Sequence, residues 1–248
     1  LAAVVVLLGL MPFIAHREFS FADDSAAVFL PTWRAAGLDL LSGTWPVLRP
    51  DVWMGGNWAV EAQFGCFSPV NLALMGVVAL LPDLAVAATV VKVAFQVLLA
   101  GGAWVLAREY GAKPWVAAGV AAALPFAGFT LYYDTSTWVA GLRAFAWTPW
   151  FWWAARRCAR GALNPLLMFA VGYLLMTNGN PYGALAAVFV LGGVALEALL
   201  ARNLRGFWRV FVTGALVGAN AETRAWAQVA PVWFMHRVRE NSSFPIPV

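Results

Sequence analysis

Apolar residues fall along this chain in long runs separated by short polar connectors, and run length sets the first expectation. A helix that crosses a bilayer needs about 20 apolar residues, with a range of about 17–25. Runs compatible with spans lie at 1–15, 84–107, 115–133, 144–155, 163–177, 183–201 and 207–220. A shorter run, 70–81, stops at Pro82-Asp83. It is predicted to be re-entrant, interfacial, or half of a tight hairpin with the next span. The segment 27–43, "AVFLPTWRAAGLDLLSG", has apolar residues at helical spacing with Arg34 and Asp39 on the other side. That pattern suits a helix lying in a membrane interface, with Gly43 as its stop signal. The stretch 44–58 has Pro, Gly and Trp without a period, and reads as a tryptophan-rich loop resting on headgroups.

Composition turns these runs into a class. Of 248 residues, 62% are hydrophobic and 11% charged, against roughly 25% charged in soluble domains. The mean hydropathy is +0.74. The expected fold is all-α: a polytopic transmembrane helix bundle. Fourteen Trp and seventeen Phe suit the aromatic belts of bilayer interfaces. The net charge of +4 contains no basic run, so nucleic acid is not an expected partner. Cys66 and Cys158 have no metal or redox spacing and are expected near opposite faces, so no disulfide is expected. His16 and His236 have no ligand cluster around them, and no metal site is assigned. Residues 1–15 are followed by no A-x-A-like cleavage site, so they read as a truncated first span rather than a signal sequence. The chain is expected to be a piece of a longer protein, with a membrane module at 1–220 and a polar exoplasmic tail at 221–248.

Charge placement predicts orientation. Arg108 and Lys113 lie in one connector, Arg156, Arg157 and Arg160 in another, and Arg202, Arg205 and Arg209 in a third. These connectors alternate along the chain if 70–81 does not cross. The positive-inside rule then makes them cytoplasmic. The long first connector, 16–69, is exoplasmic on this reading. It opens with adjacent carboxylates at Asp23 and Asp24, which repel each other and are costly to bury without a partner. They are either solvated loop residues, with Asp24 as a helix N-cap, or a site at the membrane surface.

Other candidates are polar groups in apolar settings. Lys92 lies inside the run 84–107, with Gln96 one helical turn below on the same face. An ionisable residue within a span is a functional candidate by default. The alternative is a Lys that snorkels outward. Arg34, Arg49 and Asp51 share the first loop and read as interfacial charge, with substrate binding by Arg34 and Arg49 as the alternative. Asp134 and Arg143 flank the second outer loop and read as a surface ion pair. Asn178 and Asn180 in "TNGNPYG" are turn formers or sugar-binding amides.

The order of several segments resembles the YfhO family of bacterial membrane proteins, within the GT-C glycosyltransferase superfamily. The segments are Asp24 with Pro31 seven residues later, "LLSGTWPVLRPDVWMGG" (40–56), "CFSPVNLAL" (66–74), "LLAGGAWVLAREYG" (98–111) and "TNGNPYGAL" (177–185). The resemblance covers roughly residues 10–205. Two positions depart from its pattern, Val28 in place of Gln and Asn180-Pro181-Tyr182 in place of His-Pro-Gln. The resemblance implies a GT-C-like bundle in the bacterial cell membrane. It implies transfer of a sugar from a polyprenyl-phosphate donor to an acceptor on the outer face, such as a cell-wall polymer, a lipid or a glycoprotein. Asp24 falls on the family's acidic position, with Asp23 before it, as catalytic base or acceptor-orienting group. A departing phosphate would be stabilised by Lys, Arg or a divalent metal ion. The competing functions are a transporter or flippase of a lipid-linked substrate, with Lys92 and Gln96 lining its path, and a non-catalytic scaffold.

Overall fold

The computed structural model describes residues 1–46, 62–178 and 181–219. Arg49, Asp51, Asn180, most of the loop 44–58 and the tail 221–248 lie outside the described residues. Among the described residues the fold is all-α, with nine helices and no strand. They are α1 (Ala2–Ala15), α2 (Leu30–Leu41), α3 (Pro69–Leu80), α4 (Leu84–Glu109), α5 (Pro114–Ala123), α6 (Val139–Ala159), α7 (Pro165–Met176), α8 (Pro181–Leu200) and α9 (204–219).

Local chemistry explains the starts. Pro opens α3, α5, α7 and α8, where its missing N–H costs nothing. Ser68, Asp83 and Asn164 cap α3, α4 and α7 by accepting from backbone N–H groups of the first turn. Asp83 does this twice, at 2.7 Å from Ala85 N and 3.1 Å from Val86 N. These bonds, with the Arg17 guanidinium, hold its carboxyl below the usual carboxylate range.

The helices depart from the expected spans in three places. The run 115–133 does not form one span. Its α-helix stops at Ala123, tightens to a 3₁₀ turn over Leu124–Phe126 and resumes as a π turn over Thr130–Thr135. Pro125 lies in the 3₁₀ turn and Gly128 follows it, and a helix interior tolerates neither well. The run 144–155 is the middle of a longer helix, α6, which takes Arg143, Arg156 and Arg157 into its length. Only α4 and α8 are long and apolar enough to cross a membrane by length and composition, and α1, α3, α5 with its 3₁₀ turn, and α7 are shorter apolar helices.

The expected interfacial helix is also different in its setting. A π turn, Ser25–Phe29, leads into α2, whose Trp33, Ala36 and Gly37 are buried. Helix α2 packs along α3. A Cβ at Gly37 would overlap the carbonyl oxygen of Met75, so the two backbones are in direct contact. The helix is half of a hairpin because its buried face is apolar and small, and only Leu38 and Leu41 are left exposed as large apolar groups.

The centre of the bundle is the α4–α6 interface, the most extensive between described helices. Gly101 and Gly102 make it close. A Cβ at Gly102 would lie 2.7 Å from Trp150 Cδ1 and 2.8 Å from Pro149 Cγ. The Trp150 indole donates to Leu98 O at 2.8 Å.

Two ends of the bundle are fixed by polar contacts. At one, Arg17 after α1 pairs with Asp83 before α4, so the end of α1 and the start of α4 lie together. At the other, the ends of α4, α6 and α8 meet. Arg156 lies 3.0 Å from Glu197 and 3.5 Å from Glu109, and Arg160 lies 3.2 Å from Glu109. Asn203 donates to Ala159 O at 3.0 Å, bringing the third arginine-bearing connector to that end. The three basic connectors thus share one end.

The Gly37 contact generates a test. Gly37→Ala should lower the unfolding midpoint, because overpacking typically costs about 1–3 kcal/mol and here the obstacle is backbone. Gly76→Ala, with nothing within 4 Å of its Cβ position, should leave the midpoint equal or higher. Thermal unfolding of both variants in detergent checks the pair.

Candidate functional site

Asp23 and Asp24 sit at the Arg17–Asp83 end, on the turn that enters α2. Both are exposed. Asp23 is left-handed, with φ 48°, a region Asp tolerates better than most residues. Asp24 precedes the π turn but makes no side-chain capping bond, so its carboxylate is not consumed by the helix start. Among the described residues neither carboxylate forms an ion pair or hydrogen bond.

What holds them is the next residue. Ser25 is fully buried. Its N–H and its hydroxyl both donate to Thr137 O, at 3.0 and 2.6 Å. Beneath it lies Lys92, nine positions along α4 from the Asp83 cap and 0% exposed. Its ammonium donates to Ser20 O at 2.6 Å, Ser25 Oγ at 3.0 Å and Ser136 O at 3.1 Å. Lys92 therefore points into the protein and fastens two connectors, 16–25 and 130–138, to α4. Gln96, one turn on, is also buried. It donates to Thr135 Oγ1 at 3.4 Å, and its Oε1, without a hydrogen-bond partner, lies against Gly9 of α1.

Trp138 follows Thr137 and begins the wall of a groove. This groove, of about 570 Å³, runs between α6 and α8, lined by Trp138, Gly141, Phe145 and Thr148 on one side and Tyr182 and Phe189 among those on the other. The Trp138 and Tyr182 rings meet edge to face at 5.4 Å. The lining is apolar except near Tyr182 and Thr148, and Thr148 spends its hydroxyl on Ala144 O at 2.9 Å. Asp24 is thus linked to the groove in three steps: to Ser25 by covalent bond, from Ser25 to Thr137 by hydrogen bond, and from Thr137 to the lining residue Trp138 by covalent bond.

Arg143 is the residue that sequence reasoning misplaced. It is 0% exposed rather than half of a surface ion pair. Its guanidinium donates to Phe64 O at 3.2 Å and to Gln63 O, and lies 4.9 Å from the Trp33 ring and 6.0 Å from Phe29. It pins the loop 63–68 over the bundle, where Gly65 leaves room for Asn71, Arg143 and Thr177 together. The signal was present: one Arg in "VAGLRAFAW" with apolar neighbours on both sides. The apolar run 144–155 begins one residue after it, whereas the helix begins at Val139.

The remaining predicted residues scatter. Arg34 is half-buried and donates to Pro82 O at 3.2 Å. Asn178 is fully buried at the end of α7, donating to Leu174 O, with Oδ1 lacking a partner. Arg49 and Asn180 lie outside the described residues. The structure therefore brings together Asp23, Asp24, Lys92 and Gln96, and sets Arg34 and Asn178 on other elements. A divalent ion finds no group of three His, Cys, Asp or Glu side chains to hold it among the described residues. No family model, no curated protein and no solved structure matches the chain.

Lys92→Met should lower the unfolding midpoint sharply, since it withdraws a donor from three buried or half-buried acceptors and each unsatisfied group costs about 1–3 kcal/mol. Asp24→Asn, an exposed change, should stay within about 0.5 kcal/mol of the parent. Denaturation of both in the same detergent reads the contrast.

Cys66 gives an independent check on the pinned loop. Burial pushes its thiol up to about 11. A raised thiol stays protonated, and therefore unreactive, until pH approaches that value. Maleimide at pH 7.5 should leave Cys66 unlabelled in the folded protein and label it on denaturation. In Arg143→Gln the loop loses its pin, and Cys66 should label before the helices unfold.

Proposed function

We propose that this chain is the membrane-embedded part of a glycosyltransferase that moves a sugar from a polyprenyl-phosphate donor to an acceptor hydroxyl on the outer face of a bacterial cell membrane. The observation that carries this reading is the exposed carboxylate pair on a turn that Ser25 anchors to Thr137, the residue before the groove wall begins at Trp138. The resemblance of the segment order to the YfhO family supports it.

The membrane placement is supported by surface chemistry as well as helix length. Large apolar side chains stand exposed around the bundle, Leu7, Ile14, Trp115, Phe189 and Leu200 among them. Exposed apolar side chains of this size on several helices suit contact with lipid. The end that gathers the three basic connectors is cytoplasmic by the positive-inside rule, which sets Asp23 and Asp24 outside.

The chemistry follows from that placement. A lipid-linked sugar has its reactive carbon at headgroup level and its tail in the bilayer. The α6–α8 groove suits the tail, and the Trp138–Tyr182 pair, apolar in body and polar at the tip, suits the interface. The acceptor oxygen forms a bond to the anomeric carbon. The bond from that carbon to the phosphate oxygen breaks, and the polyprenyl phosphate leaves with the electron pair. The acceptor proton passes to the Asp24 carboxylate, which acts as general base. Asp23, one residue away, orients the acceptor by accepting a second hydroxyl hydrogen bond. Lys92 is a positioning residue: its ammonium holds Ser25, and with it the base. The fixed clamp around Lys92 also favours a transferase over a flippase, whose path must open and close.

Asp24→Asn should lower transfer of labelled sugar to an endogenous acceptor by about 10²–10⁴-fold, the usual worth of a general base, with membrane insertion unchanged. Asp23→Asn should cost less. The assay uses membranes from cells expressing the full-length protein. A wild-type rate for Asp24→Asn would reduce the pair to solvated loop residues.

A further inference from the structure

The end of the bundle opposite Asp24 carries a second groove that the transfer chemistry does not use. It lies between the start of α7 and the length of α9. Its polar part, about 480 Å³, is formed by Gly161, Asn164 and Arg209 with their neighbours. Its apolar part, about 590 Å³, is formed by Trp208, Val212 and Leu216 with Arg205 and Arg209 at the top. Pro165 and Arg209 belong to both parts, so the two are one channel with a basic mouth and an apolar floor.

Its construction is definite. Leu204, Trp208, Val212 and Leu216 recur every four residues, forming one exposed stripe on α9. Arg205 and Arg209 share a four-residue spacing beside that stripe. Both are exposed, and neither makes an ion pair or hydrogen bond among the described residues. The Arg209 guanidinium lies against Gly161, which has φ 72° and where a Cβ would overlap it. Asn203 sets the angle of α9 by capping Gly206 N at 2.9 Å and donating to Ala159 O.

We propose that this channel binds an anionic phospholipid of the cytoplasmic leaflet, with its phosphate on Arg205 and Arg209 and an acyl chain along the α9 stripe. Two unspent guanidiniums demand an anion, because Arg forks onto phosphate oxygens. The apolar stripe that continues from them demands a hydrocarbon chain on the same molecule. Trp208, beside both, suits the glycerol level between headgroup and chain. Basic pockets between helices on the cytoplasmic side recognise lipid headgroups in this manner. The inference rests on the membrane placement proposed above and not on the transfer chemistry.

The test uses the full-length protein in bilayers of phosphatidylcholine with increasing brominated phosphatidylglycerol, and separately with brominated phosphatidylcholine. Bromine quenches nearby tryptophan. The signal of interest is the wild-type fluorescence minus that of Trp208→Phe. Phosphatidylglycerol should quench it at a mole fraction about thirtyfold lower than phosphatidylcholine, the scale expected for two arginines facing anionic headgroups at about 1 kcal/mol each. Arg205→Gln/Arg209→Gln should abolish the preference, and Arg205→Lys/Arg209→Lys should keep part of it. Asp24→Asn should leave it unchanged, which separates this site from the transferase reading. Equal quenching by the two lipids, or a preference that survives the double Gln variant, would overturn the site. Quenching by neither lipid would remove the membrane placement as well.

Discussion

The structure at the Asp24 end depends on one buried ammonium. An ionised Lys taken out of water loses solvation worth several kcal/mol even after relaxation. It stays charged only where fixed acceptors replace that water. Here the replacements come from Ser20, Ser25 and Ser136. None of these belongs to α4, and two are main-chain carbonyls that no side-chain substitution removes. The electrostatic need of Lys92 thus dictates where two connectors lie. The first brings Asp23 and Asp24 to the surface, and the second begins the groove wall at Trp138.

Arg143 repeats the device a few residues away. It too is a cation within an apolar helix, and its two terminal nitrogens donate to carbonyls, those of Phe64 and Gln63, while its buried Nε has no partner among the described residues. Its ring contacts with Trp33 and Phe29 replace some of the lost hydration by cation–π attraction. The opposite end follows a different rule. There Arg156 is bracketed by Glu109 and Glu197 and covered by the Tyr110 ring at 3.8 Å. Paired charges at that end knit three helices together; at the other end Arg17 pairs with Asp83 and Arg143 is held by carbonyls, and Asp23 and Asp24 make no ion pair among the described residues. The asymmetry is physically sensible. Carboxylates that no neighbouring arginine engages keep their oxygens open to other partners.

The helical class and most helix positions were legible in the sequence, because apolar runs and Pro, Ser, Asp and Asn starts are local signals. Lys92 was legible for the same reason, as one ammonium in an apolar run. The breaks were less so. Pro125 and Gly128 interrupt the run 115–133, yet hydropathy alone joins across them. Arg143 was lost because a charge was allowed to end a span. Glu197 passed unremarked inside the run 183–201, since its value lies in Arg156, 41 positions away. The hairpin of α2 with α3 could not be read from α2, whose amphipathic pattern fits a membrane interface and a small-residue packing face equally well. The position of Met75 O against Gly37 shows the packing face directly.

Rigidity bears on function here as much as chemistry does. A path for a moving substrate requires elements that change partners, and a catalytic base requires the reverse: it must hold its place to a fraction of an ångström. Asp24 is followed at once by a residue with two bonds to Thr137 O and one from Lys92. It is preceded by Asp23 in a left-handed conformation. Strained backbone of that kind persists where its surroundings over-determine it, and such places cluster at working sites. The clamp on Ser25 and the left-handed turn fix the main chain that carries Asp24, and a fixed main chain is what a general base at that position would require.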